Sequence, residues 1–138
     1  MNGLDRLAPA VAVAGLLFVA SSQDAAAQSS APTENKGIVT EQLHTIELGP
    51  EIPAMSGHYL RMRKITVAPG GVIALHDHID RPAIDYLLQG SLIDHRGAEA
   101  KEYGPGTTIF ETTKTVHWLE NKGTVAAVFV TADLPTKL

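Results

Sequence analysis

Gly70-Gly71-Val72-Ile73-Ala74-Leu75-His76-Asp77-His78 is the stretch on which the reading of this chain turns. A glycine pair opens an apolar, β-branched run, and two histidines close it. Alternate side chains of an extended strand share a face, so His76 and His78 aim both imidazoles at one point while Asp77 faces away. Two convergent imidazoles begin a metal site and do not complete one. A third histidine stands in Thr115-Val116-His117-Trp118-Leu119-Glu120-Asn121 near the end of the chain. It closes a three-nitrogen centre only if the sheet folds back on itself.

The surroundings point to such a sheet. Short runs rich in Val, Ile, Thr and Tyr occupy residues 43–48, 59–67, 72–78, 83–88, 91–94, 99–103, 107–110, 115–120 and 124–132. Between them lie Pro69-Gly70-Gly71, Gln89-Gly90, His95-Arg96-Gly97, Gly104-Pro105-Gly106 and Asn121-Lys122-Gly123. Gly accepts the positive φ of tight turns and Pro fixes the entry, so these are hairpin punctuation. Nine short strands predict an all-β sandwich or barrel with no helical layer. The last run is apolar on both faces, which predicts burial on both sides, inside the domain or at a subunit contact.

Composition sets the limits of function. The 138 residues carry a formal net charge of −4 with no run of Lys or Arg, which excludes a nucleic-acid partner held by neutralised phosphates. With no cysteine, metal or nucleophilic chemistry must run through imidazole, carboxylate or hydroxyl groups. The N-terminal region reads as an address. Residues 7–20 are apolar and 21–28 are small and polar, the pattern of a secretory signal peptide with Ala25 and Ala27 ahead of the cleavage point. The apolar run is too short to cross a bilayer comfortably, so no stable membrane insertion is expected once residues 1–27 are removed. Residues 28–37 are expected as a flexible polar tail, with the folded domain at 38–138 and the protein exported to the periplasm or beyond.

The spacing around the histidines resembles that of the cupins. Their first motif runs Gly, five residues, His-x-His, three or four residues, Glu, six residues, Gly. Gly70, His76, His78, Ala83 and Gly90 reproduce every interval. The second runs Gly, five residues, Pro-x-Gly, two residues, His, three residues, Asn, and Gly106, Thr112, Lys114, His117 and Asn121 fall at those positions. The resemblance implies a cupin-type double-stranded β-helix, a jelly-roll barrel. It also implies one divalent transition metal (Fe, Mn, Ni, Zn or Cu) on His76, His78 and His117, and a homodimer. Ala83 departs from the motif's Glu, its usual fourth ligand, and Thr112 and Lys114 depart from its Pro and Gly.

Three neutral imidazoles leave the charge of a divalent ion uncompensated, which suits a small anionic or chelating substrate. Cupin dioxygenases with a three-histidine centre are similar, and a non-catalytic ligand-binding or metal-holding module is the alternative. On a regular strand Asp85 shares the face of Ala83 and is the candidate catalytic base or replacement ligand; the alternative is an outward Asp on an edge strand. Asp80 and Glu111 are expected in solvent, as are His44, His58 and His95, the last in a turn. Arg61 and Arg63 share a face, either an anion clamp or, as is commoner for charged residues, a solvated outer stripe. Tyr86, Trp118 and Phe129 are expected as core or rim aromatics.

Overall fold

Pro69-Gly70-Gly71 bends a strand without ending it. In the computed structural model, which describes residues 30–136 and so leaves the expected signal segment 1–27 outside the described residues, β2 runs unbroken from Tyr59 to Asp77. The two runs expected at 59–67 and 72–78 are therefore one strand. Its first half pairs with β1 (Lys36–Glu47) and β8 (Ala127–Asp133), and its second half with β7 (Val116–Glu120). Gly70 has φ +70°, and a Cβ on Gly71 would lie 2.7 Å from the Ala68 carbonyl oxygen. Only glycine fits there. Asn121 pins the bend: its Nδ2 donates to the carbonyls of Val67 and Val125, each at 2.9 Å, while its backbone exchanges hydrogen bonds with Gly70 and Gly71.

The other strands are β3 (Ala83–Gln89), β4 (Leu92–Arg96), β5 (Glu99–Tyr103) and β6 (Thr108–Glu111). They join one sheet in the order β5-β4-β7-β2-β8-β3-β6, with β1 on the free half of β2. The only helix among the described residues is a single 3-10 turn at Pro53–Met55, and none is long and apolar enough to cross a membrane. The all-β jelly-roll expectation holds. β1 begins at Lys36, seven residues before the run expected at 43, because its pairing partner β2 dictates its length while its own side chains stay almost wholly exposed. Part of the expected tail is also packed: Ala31 is buried, the Pro32 carbonyl accepts from the Leu75 N–H, and Asn35 accepts from the Ala74 N–H.

Cross-strand register sorts the interior into layers. Ile65, Phe129 and Leu87 form one inward row on β2, β8 and β3, and with Val67, Leu92, Ile109, Leu119 and Ala127 they make the apolar core. One pleat further along, the same strands place Arg63, Thr131 and Asp85 in a row. The next brings Arg61, Asp133, Ala83 and Glu111 together. Alternation is unbroken while the residue type changes from apolar to charged, so one end of the barrel is filled and the other becomes a polar mouth. β8 follows the same rule: Ala127, Phe129, Thr131 and Asp133 are buried, while Val128 and Val130 are half-buried and Ala132 is exposed. Among the described residues, the second apolar face of that run is thus only partly covered.

Candidate metal centre

His76 and His117 are direct cross-strand partners on β2 and β7, and His78 follows β2 by one residue with its N–H donating to the Thr115 carbonyl at 3.1 Å. The three imidazoles expected from sequence do meet. Their Nε2 atoms lie 3.1 Å (His76 to His78), 3.2 Å (His78 to His117) and 3.2 Å (His117 to His76) apart. Each opposite nitrogen faces an acceptor: His76 Nδ1 donates to the Ala74 carbonyl at 2.8 Å, His78 Nδ1 to the Arg81 carbonyl at 2.9 Å, and His117 Nδ1 to Asp94 Oδ1 at 2.8 Å. Those acceptors assign the proton to Nδ1, so three Nε2 lone pairs converge with no proton between them. A cation satisfies that arrangement, and the spacing is what ligands of one ion with bonds of about 2.1 Å take up.

Burial keeps the ligand set neutral. It pulls His78 down to about 4 and lowers His76 as well, so both rings are free to ligate at neutral pH. Asp94 is the supporting residue that sequence reasoning missed. Burial works to raise its carboxyl, but the hydrogen bond and charge of His117, together with Arg96 Nε on its other oxygen at 2.8 Å, hold it below the usual range. A carboxylate behind a ligating imidazole fixes the ring and raises its basicity. The signal lay in the alternation of β4, which turns Leu92 and Asp94 inward together.

Asp85 is buried at 3% exposure, on the inward face and not outward on an edge strand. It is hydrogen-bonded to Thr131 and to Glu111. Glu111 corrects an expectation: it is buried at 5%, with Oε1 3.6 Å from His117 Nε2 and Oε2 3.5 Å from His78 Nδ1. Register places it opposite Ala83, a neighbour invisible along the chain. Burial pushes both carboxyls upward; the charge and hydrogen bond of Asp85 raise Glu111 further, while the hydrogen bonds from Thr131 and Glu111 hold Asp85 back, so the pair shares a proton.

Arg61 and Arg63 also turn inward, against the expected outer stripe, because both pair with the buried Asp133. His95 lies on β4 and not in a turn; it stacks on Trp118 at 3.7 Å and bonds Glu120. Phe129 is core, Tyr86 is exposed, and Asp77 and Asp80 face solvent. A cavity of about 350 Å³ opens between His76, His78, Asp85, Glu111, Arg63 and Arg81.

The profile of the cupin domain matches residues 63–133, which spans both histidine motifs and half of the chain. The chain belongs to the cupin family. Solved structures of the same fold include a predicted oxalate decarboxylase from Thermotoga maritima (18% identity, 77% of this chain, 94% of that chain, TM-score 0.57). Others are a protein from Thermus thermophilus (17% identity, 71% and 83% coverage, TM-score 0.58) and the polyketide cyclase RemF from Streptomyces resistomycificus (20% identity, 74% and 68%, TM-score 0.58). Among curated protein sequences, none matches closely enough to count as a relative. At these identities the structures establish the fold alone.

Proposed function

We propose that this cupin is an exported metal-dependent enzyme of dioxygenase-like type, acting on a small anionic or chelating substrate. The observation that carries the reading is the convergence of three proton-free Nε2 atoms at the wall of a cavity that also holds a proton-sharing carboxyl pair. His76, His78 and His117 hold the ion. A divalent transition metal bound by three imidazoles supplies Lewis-acid chemistry and, for iron, manganese or copper, one-electron chemistry to an oxygen-bearing ligand. Asp94 orients His117. Asp85, with Glu111 against it, accepts or returns a proton at its carboxyl oxygen, and the apolar layer of Ile65, Leu119 and Phe129 closes the inner end of the cavity to water.

The second reading is a non-catalytic ligand-binding or metal-holding module. Ala83, Thr112 and Lys114 at the positions of the motif's Glu, Pro and Gly favour it. Metal analysis of the protein from its own compartment, beside His78→Ala, tests the centre: stoichiometric metal in the first and loss of it in the second are expected. A metal-free wild type overturns the enzyme and the metal-holding module and leaves only a metal-independent ligand-binding module. Oxygen uptake with a panel of thiols, diketones and phenols then separates the two readings, because turnover excludes the module and its complete absence excludes the dioxygenase.

Residues 1–27 support export, and the uncovered outer face supports a homodimer. On that face Met62, Ala132, Ile84 and Phe110 stand in one cross-strand row, Ile84 at 58% and Phe110 at 63% exposure. A second copy related by a two-fold axis covers such a self-complementary patch.

A further inference from the structure

The mouth of the barrel carries more positive charge than its architecture uses. Arg61 alone satisfies the buried carboxylate of Asp133, donating from Nε to Oδ1 at 3.0 Å and from Nη2 to Oδ2 at 2.7 Å. Arg63 Nη2 and Arg81 Nη1 nevertheless reach the same Oδ2 at 2.9 and 3.2 Å. Three guanidiniums on one carboxylate leave two positive charges uncompensated at that spot. The nearby Asp85 and Glu111 are hydrogen-bonded to each other and, among the described residues, form no ion pair with these arginines.

The surplus points into the cavity. Arg63 and Arg81 line it and Arg61 does not. Arg63 Nε is buried without a hydrogen-bond partner, a state rare among buried donors. Its planar fork therefore has donors left over, suited to a two-oxygen anion. We propose that Arg63 and Arg81 form an anion subsite for the carboxylate of a small organic acid whose other end reaches the three histidines. At about 350 Å³ the cavity sits at the small end of ligand sites, which fits a compact acid. The part of this inference that places the acid's other end on a metal rests on the function proposed above; the carboxylate contact does not.

The test therefore starts without metal. The full chain, stripped by chelator and then reloaded, is titrated with pyruvate and with pyruvamide, which keeps the shape and loses the charge, using saturation-transfer NMR. Pyruvate is expected to bind the metal-free protein and pyruvamide not to. Arg63→Gln and Arg81→Gln should each weaken pyruvate roughly 10- to 100-fold, the worth of one charge-assisted bond, and leave metal content unchanged. Arg81 is a partly exposed side chain, so Arg81→Gln carries the test if Arg63→Gln fails to fold. Equal binding of the two probes, inorganic phosphate bound in place of pyruvate, or an Arg81→Gln protein with wild-type pyruvate affinity overturns the proposal. Pyruvate bound through both arginines to a protein that takes no metal keeps the subsite and fails the metal reading. Stoichiometric metal with no pyruvate binding does the reverse.

Discussion

Asp94→Asn isolates what the residue behind His117 contributes. Asp94 is 3% exposed, and its two oxygens have different tasks: Oδ1 accepts the His117 Nδ1 proton and Oδ2 accepts from Arg96 Nε, both at 2.8 Å. An asparagine of the same shape has one acceptor. Turned to serve His117, it sets an amide N–H₂ against the Arg96 donor; turned to serve Arg96, it offers His117 a donor and drives the ring proton to Nε2, where the metal belongs. Either way the negative charge that raises the basicity of His117 is gone. Residues in this position are typically worth 10- to 100-fold in metal affinity, about 1.4–2.8 kcal/mol. Competition with a chromophoric chelator, using zinc and cobalt at fixed pH, measures it. Glu120→Gln is the control, since Glu120 bonds His95 and touches none of the three ligands. An Asp94→Asn protein within about twofold of wild type refutes the claim that Asp94 sets the ligand state of His117.

Two more outcomes follow from burial. Because folding lowers His78 from 6.5 to about 4, the unfolded chain binds the extra proton, and metal-free stability should fall as pH drops from 6.5 towards 4, by about 3 kcal/mol from this residue. Asp85 and Glu111 are raised and act in the opposite sense, losing stability as pH climbs through the carboxyl range, so the comparison is urea unfolding of wild type against His78→Asn. Equal pH slopes in the two proteins refute it. For the outer face, Ile84→Glu or Phe110→Glu should turn a dimer into a monomer in light scattering at roughly 10 μM. A wild type that is already monomeric refutes the homodimer.

What the sequence disclosed followed from local rules. Strand periodicity, turn glycines and the His-x-His interval are properties of neighbouring residues, and they located the barrel and the convergence of His76 and His78, while leaving the face of Asp85 open. His117 required a matched second motif, because nothing local says that β7 lies against β2. The misses share a cause. Glu111, Asp94, Arg61 and Arg63 are charged residues within strands, and average composition assigns such residues to solvent. Each is inside beside a hydrogen-bonding partner from another strand: His117 for Asp94, Asp133 for the arginines, Asp85 for Glu111. A buried charge is legible only with its partner, and cross-strand register is a tertiary fact. β1 is the converse case, a long strand with scarcely any buried face for the pattern to register.

Ala83 gains a different meaning from this register. Read along the chain, an alanine in place of the motif's Glu suggests a site released from constraint. Across the sheet, its partners are Glu111 on β6 and Asp133 on β8, both buried and acidic. A Glu at 83 would put a third acidic side chain into one inward row, in the space that Glu111 and Asp133 flank. The small side chain is therefore what allows a carboxyl from the next strand to stand beside His78 and His117. Glu111 stands beside His78 and His117 from a different strand, outside the group of three histidines that could hold an ion. Thr112 and Lys114 belong to the same change, since Glu111 ends β6 and the turn after it, closed by the Thr115 N–H on the Thr112 carbonyl and by Thr115 Oγ1 on the Thr112 N–H, brings the chain back to His117 without the motif's Pro and Gly.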